Sequence, residues 1–324
     1  MKIPTAADIK KYLNQYNPVG LENARVIRNL TAETANNHWN WLVEKDSRRY
    51  VIRIAKPKGN VPPDIAKEYE ALFCLKETGI APRPYWIDIT SFSSPLLIED
   101  FIYGRHPKQK PDAREVKAIA RTIARLHQIR PPQHFPLADR SYSVRLKILE
   151  NRLKEAARKP LVRNIIQKSG ILKLMPAIRR FFKFASHFAD KKPKVFLHGD
   201  LYLGNVLINR KGRAILIDFQ KPAIGEPAVD FGNIFVDVSW REYYERFRDT
   251  FIKEYSRFNN YPKLEELFDL RMVERDTTSL FSEFKEAATK LPQQKVALQK
   301  YFLHKHPKWR IELIRKELEK FGIL

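Results

Sequence analysis

The stretch "VFLHGDLYLGNVLINRKGRAILIDFQ", residues 195–220, decides how the rest of the chain is interpreted. Two apolar runs are joined by the turn-forming letters "NRKGR", a pattern that predicts a β-hairpin. Four polar side chains surround this hairpin: His198, Asp200, Asn205 and Asp218. Asp218 is expected at the end of the second strand, "AILID". The stretch therefore predicts one hairpin with carboxylate and amide oxygens gathered around it.

These residue types, in this order, suit phosphoryl transfer. That reaction needs a carboxylate that orients the acceptor hydroxyl and accepts its proton, and oxygen ligands for the magnesium that bridges the phosphates. Asp200 suits the first task. Asn205 and Asp218 suit the second, because magnesium prefers hard oxygen donors.

The order His-Gly-Asp-x-x-x-x-Asn, then an apolar hairpin, then Ile-Asp-Phe resembles the aminoglycoside phosphotransferase and choline kinase family. The resemblance spans roughly residues 20 to 240, and that family has a protein-kinase-like fold. It implies Asp200 as the catalytic base, with Asn205 and Asp218 as ligands of Mg²⁺ beside ATP. His198 belongs to the same catalytic loop, where we expect it to brace the loop rather than to transfer protons.

The order of elements predicts an α+β fold with two lobes. Residues 1–100 are expected to form an N-lobe that binds the nucleotide, with a small antiparallel sheet and one crossing helix. Residues 101–324 are expected to form a mainly helical C-lobe that contains the catalytic hairpin and binds the acceptor. The predicted N-lobe strands are "ARVIRNL", "HWNWLVEKD", "RRYVIRIA", "PYWIDI" and "PLLIEDF", and the crossing helix is "IAKEYEALFCLKETG".

The strand "YVIRIA" places Arg53 where a kinase carries its phosphate-binding lysine. In this respect the chain resembles many members of the family, which have arginine at that position. A guanidinium keeps the charge and adds a planar fork for phosphate oxygens. Glu68 is the expected ion-pair partner on the crossing helix, with Glu70 as the competitor on another helix face. The alternative for Arg53 is a surface position on an edge strand.

Two further segments are expected at the nucleotide. The loop "TAETANNHW", residues 31–39, has no glycine, unlike the Gly-rich loop of protein kinases. Asn36 and Asn37 could offer donors to phosphate there. Adenine is expected to meet backbone groups of the hinge near Glu99 and Phe101.

The letters Asp-Phe-Gly at residues 230–232 look like the magnesium motif of protein kinases. Asp218 already fills that role at the end of the hairpin. Asp230 follows "GEPAV" and opens a helix, where a carboxylate can cap backbone N–H groups. Residues 230–232 resemble an Asp-Leu-Ala of the family, whose carboxylate steadies the catalytic loop. Asp230 is therefore expected to support the site without touching the metal.

The acceptor is expected to be a small molecule. Tyr202 stands two positions after Asp200, where Ser/Thr kinases have lysine, and no Ala-Pro-Glu follows the short stretch between Asp218 and Asp230. The family phosphorylates aminoglycosides, choline, ethanolamine, homoserine and sugars. Candidate acceptor contacts lie in "DVSWREYYERF": Asp237, Trp240 and Tyr244. Aromatic and acidic side chains of this kind could hold a cationic acceptor. The alternative is that the aromatic rings belong to the core and the charged side chains to a solvated helix face.

Charge is the unusual feature of this basic protein. The formal net charge is +23, and residues 107–194 hold 23 Lys and Arg against 6 Asp and Glu, which gives +17. Such a block indicates either an anionic partner or a solvated basic face. An RNA-directed or RNA-binding kinase of the same fold is therefore the alternative function. A non-catalytic binding module is the second alternative, and the intact Asp200, Asn205 and Asp218 set argues against it.

The remaining composition indicates a cytoplasmic globular protein. Hydrophobic residues make up 44% and charged residues 30% of the chain. Cys74 is the single cysteine, so no internal disulfide can form. The first residues, "MKIPTAADIKKYLNQY", lack the apolar core of a secretion signal, and no apolar run approaches a membrane-spanning length.

Overall fold

A computed structural model describes residues 3–31, 38–56, 65–138, 142–189, 192–236, 238–305 and 307–324. Within these ranges, the side chains of residues 236, 238, 239, 244, 245 and 303–305 are not described.

The strands, in chain order, are β1 (Arg25–Asn29), β2 (His38–Lys45), β3 (Arg48–Ala55), β4 (Pro84–Asp88), β5 (Leu96–Asp100), β6 (Gly104–Arg105), β7 (Val195–Leu197), β8 (Val206–Asn209), β9 (Ala214–Leu216) and β10 (Ala223–Gly225). The α-helices are α1 (Ala6–Tyr16), α2 (Ile65–Leu75), α3 (Ala113–Leu126), α4 (Tyr142–Ala156), α5 (Pro160–Ser169), α6 (Ile171–Ala189), α7 (Ala228–Val236), α8 (Val238–Arg241), α9 (Tyr244–Ser256), α10 (Leu264–Thr289), α11 (Lys295–Lys305) and α12 (Pro307–Lys320).

Contacts divide the chain into two units that are interleaved in sequence. The first unit is Met1–Phe135, Val195–Ala223 and Arg246–Asn259; the second is Pro136–Lys194, Ile224–Glu245 and Asn260–Leu324. The candidate catalytic hairpin belongs to the first unit. The lobe boundary expected after residue 100 stays a prediction.

The first unit contains a five-stranded sheet in the order β1-β2-β3-β5-β4, with every neighbouring pair antiparallel. Strands β2 and β3 are joined through Asp46 and Ser47, which both have positive φ. Two such residues form the tight turn whose twist matches an antiparallel pair. The α+β class predicted from the sequence is confirmed by this sheet and the helices around it.

Period-two alternation decides which side chains of the sheet enter the core. In β3, Tyr50, Ile52 and Ile54 join a buried cluster that includes Ile9 and Leu13 of α1. Successive side chains of a strand point to opposite faces, so the residues between them face the other way. The opposite face carries α2, which contacts β4 and β5.

A second, three-stranded sheet in the order β6-β8-β9 holds the hairpin of residues 206–216. In this hairpin Val206 pairs with Leu216 and Ile208 with Ala214. Helix α3 supports it from one side: Asp112 caps the helix by accepting from two backbone N–H groups, and Thr122 donates to the carbonyl of Ala214 at 3.0 Å.

The second unit is built around the 26-residue helix α10, which contacts α4, α7 and α12. Its core is rich in aromatic rings, including Phe231, Phe235 and Phe268. Within the described ranges, no helix combines the length and apolarity that crossing a bilayer requires.

Candidate active site

Arg53 lies on the central strand β3, where its guanidinium is buried among acidic side chains. Alternation turns it away from the core cluster and toward α2. Its Nη2 lies 2.9 Å from Oε1 of Glu68 and also contacts the Asp218 carboxylate, while Nη1 lies 3.8 Å from Oε1 of Glu99. The same Nη2 donates to Nδ1 of His38 at 3.3 Å. The surface position on an edge strand, the alternative for Arg53, is therefore excluded.

Glu68 and Glu70 are clearly separated by the structure. Glu68 is 1% exposed and pairs with Arg53, whereas Glu70 accepts from Nε2 of His134 at 2.8 Å near the surface. The two residues are neighbours in sequence but face different directions on α2. Glu68 is thus the partner of Arg53.

Among the described residues, this buried cluster sets the Arg53 guanidinium against three carboxyl groups, those of Glu68, Glu99 and Asp218. Burial raises the pKa of Glu68 to about 8 and that of Glu99 to about 7. The pKa of Asp218 is lowered, because Arg53 and a hydrogen bond from Gln220 outweigh the effect of burial. The pKa of Arg53 is raised, because the neighbouring carboxylates outweigh burial. Burial thus favours the protonated forms of Glu68 and Glu99, while Asp218 stays charged beside Arg53.

Among the described residues, His38, Glu68 and Asp218 could offer three ligand atoms to a metal ion, all within 4.8 Å of one another. However, Nη2 of Arg53 contacts all three of these side chains. A cation placed between them would meet the guanidinium at short range and be repelled. We therefore do not assign a metal to this particular trio.

His198 braces the catalytic loop. Its ring is fully buried, its Nε2 donates to the carbonyl of Ile217 at 2.9 Å, and the backbone N–H of Asp200 points at Nδ1 at 3.4 Å. The ring also packs against Phe219, with 4.3 Å between centroids. Both ring nitrogens thus contact backbone groups, and the bracing role of His198 stays a prediction.

The candidate base, Asp200, has a carboxylate that is 37% exposed and receives a charged neighbour. Nζ of Lys221 lies 2.9 Å from its Oδ2. The backbone carbonyl of Asp200 accepts from Nδ2 of Asn205 at 2.9 Å. The amide nitrogen of Asn205 is therefore engaged with the loop, which leaves its Oδ1 as the atom that can bind a cation.

Lys221 can reach Asp200 only because residue 199 is glycine. Gly199 has φ of +80°, and a Cβ at this position would lie 1.8 Å from the carbonyl oxygen of Lys221. The segment after Asp218 and the catalytic loop therefore run in backbone contact. Any side chain larger than hydrogen at residue 199 would separate them.

Asp218 lies two residues beyond β9, since the strand ends at Leu216, earlier than the sequence indicated. Its φ is +69°, outside the β region, which explains why the ladder stops. The backbone N–H of Ile217 donates to the carbonyl of Asn205 at 3.0 Å. This hydrogen bond holds the backbone next to Asp218 against that of Asn205, the other expected metal ligand. Nε2 of Gln220 donates to Oδ1 of Asp218 at 2.6 Å.

In the second unit, α7 begins at Ala228, two residues before Asp230. The N–H of Ala228 donates to Oε2 of Glu226 at 2.9 Å, so Glu226 caps the start of α7, and the supporting role of Asp230 stays a prediction. Asp230 itself is fully buried in the first turn. Trp240 is fully buried against Phe235, which favours a core role over an acceptor contact.

The structure does not test the expected ligand contacts of several site residues. Asn36, Asn37 and Asp237, and the side chain of Tyr244, lie outside the described residues. Phe101 has its N–H bonded to the carbonyl of Arg49 at 3.1 Å. The nucleotide and acceptor contacts of all these residues stay predictions.

Three residues around the site were missed from the sequence: His38, Gln220 and Lys221. The alternation of Trp39, Trp41 and Val43 would have placed His38 on the face of Arg53. Lys221 could have been noticed because it follows Asp218 by three residues. Its approach to Asp200, however, depends on the backbone contact at Gly199, which the sequence alone does not reveal.

Comparison with protein families agrees with this geometry. The sequence matches the model of the phosphotransferase enzyme family (APH) over residues 29–267. A comparison with curated proteins gives no significant match.

Several solved structures have a similar fold at low identity. Choline kinase from Cryptosporidium parvum is 17% identical with a TM-score of 0.61, covering 99% of this chain and 98% of its own. Ethanolamine kinase from Plasmodium vivax is 15% identical with a TM-score of 0.62, covering 96% and 89%. Spectinomycin phosphotransferase APH(9)-Ia, solved with ADP and spectinomycin, is 14% identical with a TM-score of 0.59, covering 94% and 95%. The chain therefore belongs to the phosphotransferase enzyme family and has the protein-kinase-like fold predicted from its sequence.

Proposed function

We propose that this phosphotransferase moves the γ-phosphate of ATP to a hydroxyl group of a small molecule, with Asp200 as the general base. The observation that carries the proposal is the arrangement around Asp200. Its carboxylate is partly exposed, its backbone is held by Asn205, and a lysine ammonium lies 2.9 Å away. A hydroxyl placed against this carboxylate can pass its proton to it, while the ammonium offsets charge on the arriving phosphate.

Asn205 and Asp218 are the residues that would hold magnesium. The fit rests on Asn205, whose amide nitrogen is used by the Asp200 carbonyl, and on Asp218, whose lowered pKa keeps its carboxylate charged. Magnesium, when bound, would bridge phosphate oxygens and offset their charge. The protein's own contribution is to fix these two oxygens through the paired backbone of Asn205 and Ile217.

Arg53 is proposed to bind phosphate oxygens, and Glu68 to hold its side chain in place, as their 2.9 Å ion pair supports. The loop with Asn36 and Asn37 would cover the phosphates, and backbone groups near Glu99 and Phe101 would meet adenine. The ADP bound to spectinomycin phosphotransferase supports ATP as the donor. On this proposal residues 1–100 bind the nucleotide, residues 101–324 catalyse and bind the acceptor, and the enzyme works in the cytoplasm, where ATP is present.

The acceptor is proposed to be a sugar, an amino alcohol or an aminoglycoside-like compound. The names of the similar structures, which include choline, ethanolamine and spectinomycin kinases, support this range. Asp237 and Tyr244 are kept as candidate contacts, whereas Trp240, fully buried against Phe235, is assigned to the core. Asp230 is proposed to support the site without binding metal.

The test is magnesium-dependent ATP consumption across a library of hydroxyl compounds, with bulk tRNA as one further acceptor. With the best acceptor, Asp200→Asn and Asp218→Ala should each reduce kcat by roughly 100-fold or more, because each removes a group needed in the transition state. Asp249→Asn, an exposed change on α9, is the matched control and should leave the rate unchanged. Unchanged turnover in both site variants would overturn the proposal and favour a non-catalytic binding module.

A further inference from the structure

The second unit carries a long basic surface that the phosphotransferase site does not use. Between Glu155 and Asp190 the chain contains eight Lys and Arg residues and no Asp or Glu. This segment includes helices α5 and α6, both in the second unit. A solvated face of an ordinary protein mixes both signs, so an acid-free run of 34 residues needs another explanation.

Helix α6 separates its two faces sharply. One face is buried and apolar, and includes Leu174, Ile178 and Phe181. The opposite arc is exposed and contains cations together with two protruding apolar side chains, Leu172 at 46% and Phe184 at 47% exposure. The cations on this arc are Lys173, Arg179, Arg180 and Lys183.

The arginines of this arc have partners inside the protein, whereas its lysines have none within the described ranges. Arg179 pairs with Glu150 at 2.7 Å, and Arg180 donates to the carbonyl of Ile323. Among the described residues, Lys168, Lys173 and Lys183 have no carboxylate within ion-pair distance. Their charge is therefore available to an external anion.

We propose that this face, defined as the exposed arc of α6 with Lys168 of α5, docks on an anionic lipid surface. Cations and apolar side chains on one helix face are what an interfacial helix presents: the ammonium groups meet lipid phosphates, and Leu or Phe enter the boundary with the acyl chains. Leu172 and Phe184 are twelve residues apart on α6, about 18 Å along a helix, so both ends of the arc can insert.

A polynucleotide fits this face less well. Single-stranded RNA is bound by basic grooves with aromatic rings that stack on bases. Leu172 has no base-stacking use. The Phe184 ring packs with Phe188 and Phe321, with centroids 6.1 Å and 6.2 Å away, and so continues an apolar cluster. The inference is independent of the proposed reaction, because lipid docking requires neither ATP nor an acceptor.

Co-sedimentation with vesicles tests the docking without nucleotide. Vesicles of 70% phosphatidylcholine and 30% phosphatidylglycerol should bind the protein, and pure phosphatidylcholine should not. The triple variant Lys168→Gln, Lys173→Gln, Lys183→Gln should bind on the order of 100-fold more weakly, since each basic residue near such a surface contributes about fivefold. The matched control is Lys295→Gln, Lys300→Gln, Lys316→Gln, three exposed lysines of the same unit, which should retain binding.

The apolar part is tested separately with Leu172→Ser, Phe184→Ser. This variant keeps every charge and should still bind several-fold more weakly than the parent protein. Far-ultraviolet circular dichroism checks that each variant is folded. Equal vesicle binding by the lysine triple variant and its control would overturn the proposal. Salt-sensitive binding of a 30-nucleotide single-stranded RNA, lost in the lysine triple variant, with no vesicle binding by the parent protein, would replace it with RNA docking.

Discussion

On the proposed function, Lys221 supplies a charge that Ser/Thr kinases supply from another position in the chain. Ser/Thr kinases have a lysine two positions after the catalytic aspartate, and this chain has Tyr202 there, 47% exposed. Lys221 brings an ammonium to the Asp200 carboxylate from 21 residues away in sequence. The charge near the reacting groups is thus kept, although the segment that supplies it differs.

Lys221→Met should lower kcat on the order of 100-fold, the usual cost of losing one donor aimed at transition-state charge. The acceptor KM should change little, because the loss is felt in the transition state. Lys221→Arg should recover most of the rate by restoring the positive charge. Steady-state kinetics with the best acceptor measures these effects, with Lys211→Met on the exposed hairpin tip as control. A Met variant with unchanged kcat would remove Lys221 from the mechanism.

At this scale, local motifs were predictable and long-range contacts were not. Asp200, Asn205 and Asp218 could be singled out because their spacing around one hairpin follows from short-range geometry. The approach of Lys221 depends on the φ of Gly199, and that of His38 on strand register. Alternation gives the face on which His38 lies, but neither the register of β2 against β3 nor the meeting of Gly199 with Lys221 follows from a local pattern, since both depend on which segments meet.

At the scale of elements, a buried ion network joins three helices of the second unit. Arg241 of α8 lies 2.9 Å from Asp276 of α10 and 2.5 Å from Glu317 of α12. Arg310 of α12 contacts Asp276 at 3.1 Å and Glu283 of α10 at 3.3 Å. Two guanidinium groups face three carboxyl groups, so one carboxyl is stabilised by keeping its proton.

Glu317 is that carboxyl. Burial, with the charge of Asp276, raises its pKa to about 8, in spite of Arg241. An unfolded glutamic acid titrates near pH 4.3. Between about pH 4.5 and 8 the folded state therefore holds a proton that the unfolded state has released. The contribution of Glu317 to the free energy of unfolding is therefore fully present below about pH 4.5 and is lost as the pH rises toward 8.

Glu317→Gln should remove that pH dependence, because the amide mimics the protonated acid. Up to about 1.4 kcal/mol per pH unit should disappear from the slope of unfolding free energy between pH 5.5 and 7.5. Denaturant unfolding at several pH values measures the slope. Glu319→Gln, exposed on the same helix, should keep the parent slope. A parent protein whose stability rises across this window, with an unchanged slope in Glu317→Gln, would contradict the assignment.

Element boundaries were predicted well where amphipathic patterns were long and less well at the site. Helix α2 and strands β1 to β5 lie where the sequence patterns predicted them. Strand β9 ends two residues early because Asp218 adopts a left-handed backbone. Such a conformation is strained for a non-glycine residue and is typical of functional positions, where local propensity fails as a guide.

At the scale of the whole molecule, the chain passes between its two contact units five times. The residues proposed for phosphate and metal binding, Arg53, Glu68, Asn205 and Asp218, all belong to the first unit. They come from two segments that are more than 100 residues apart in sequence, because the first ends at Glu68 and the second begins at Asn205. A ligand that contacts all of them links these segments in the folded state only, and so should stabilise folding.

A non-hydrolysable ATP analogue with magnesium should therefore raise the unfolding free energy by about 2.7 kcal/mol at 100 times its Kd. Without magnesium the gain should be smaller, because the Asp218 carboxylate, which its lowered pKa keeps charged, then faces the phosphates without an intervening cation. Denaturant unfolding with analogue alone, magnesium alone and both together separates the contributions. Asp218→Asn removes one of the two proposed ligands, so its gain from the analogue should become nearly independent of magnesium. A gain equally large with and without magnesium in the parent protein would show that Asn205 and Asp218 do not hold the ion, while leaving nucleotide binding by Arg53 intact.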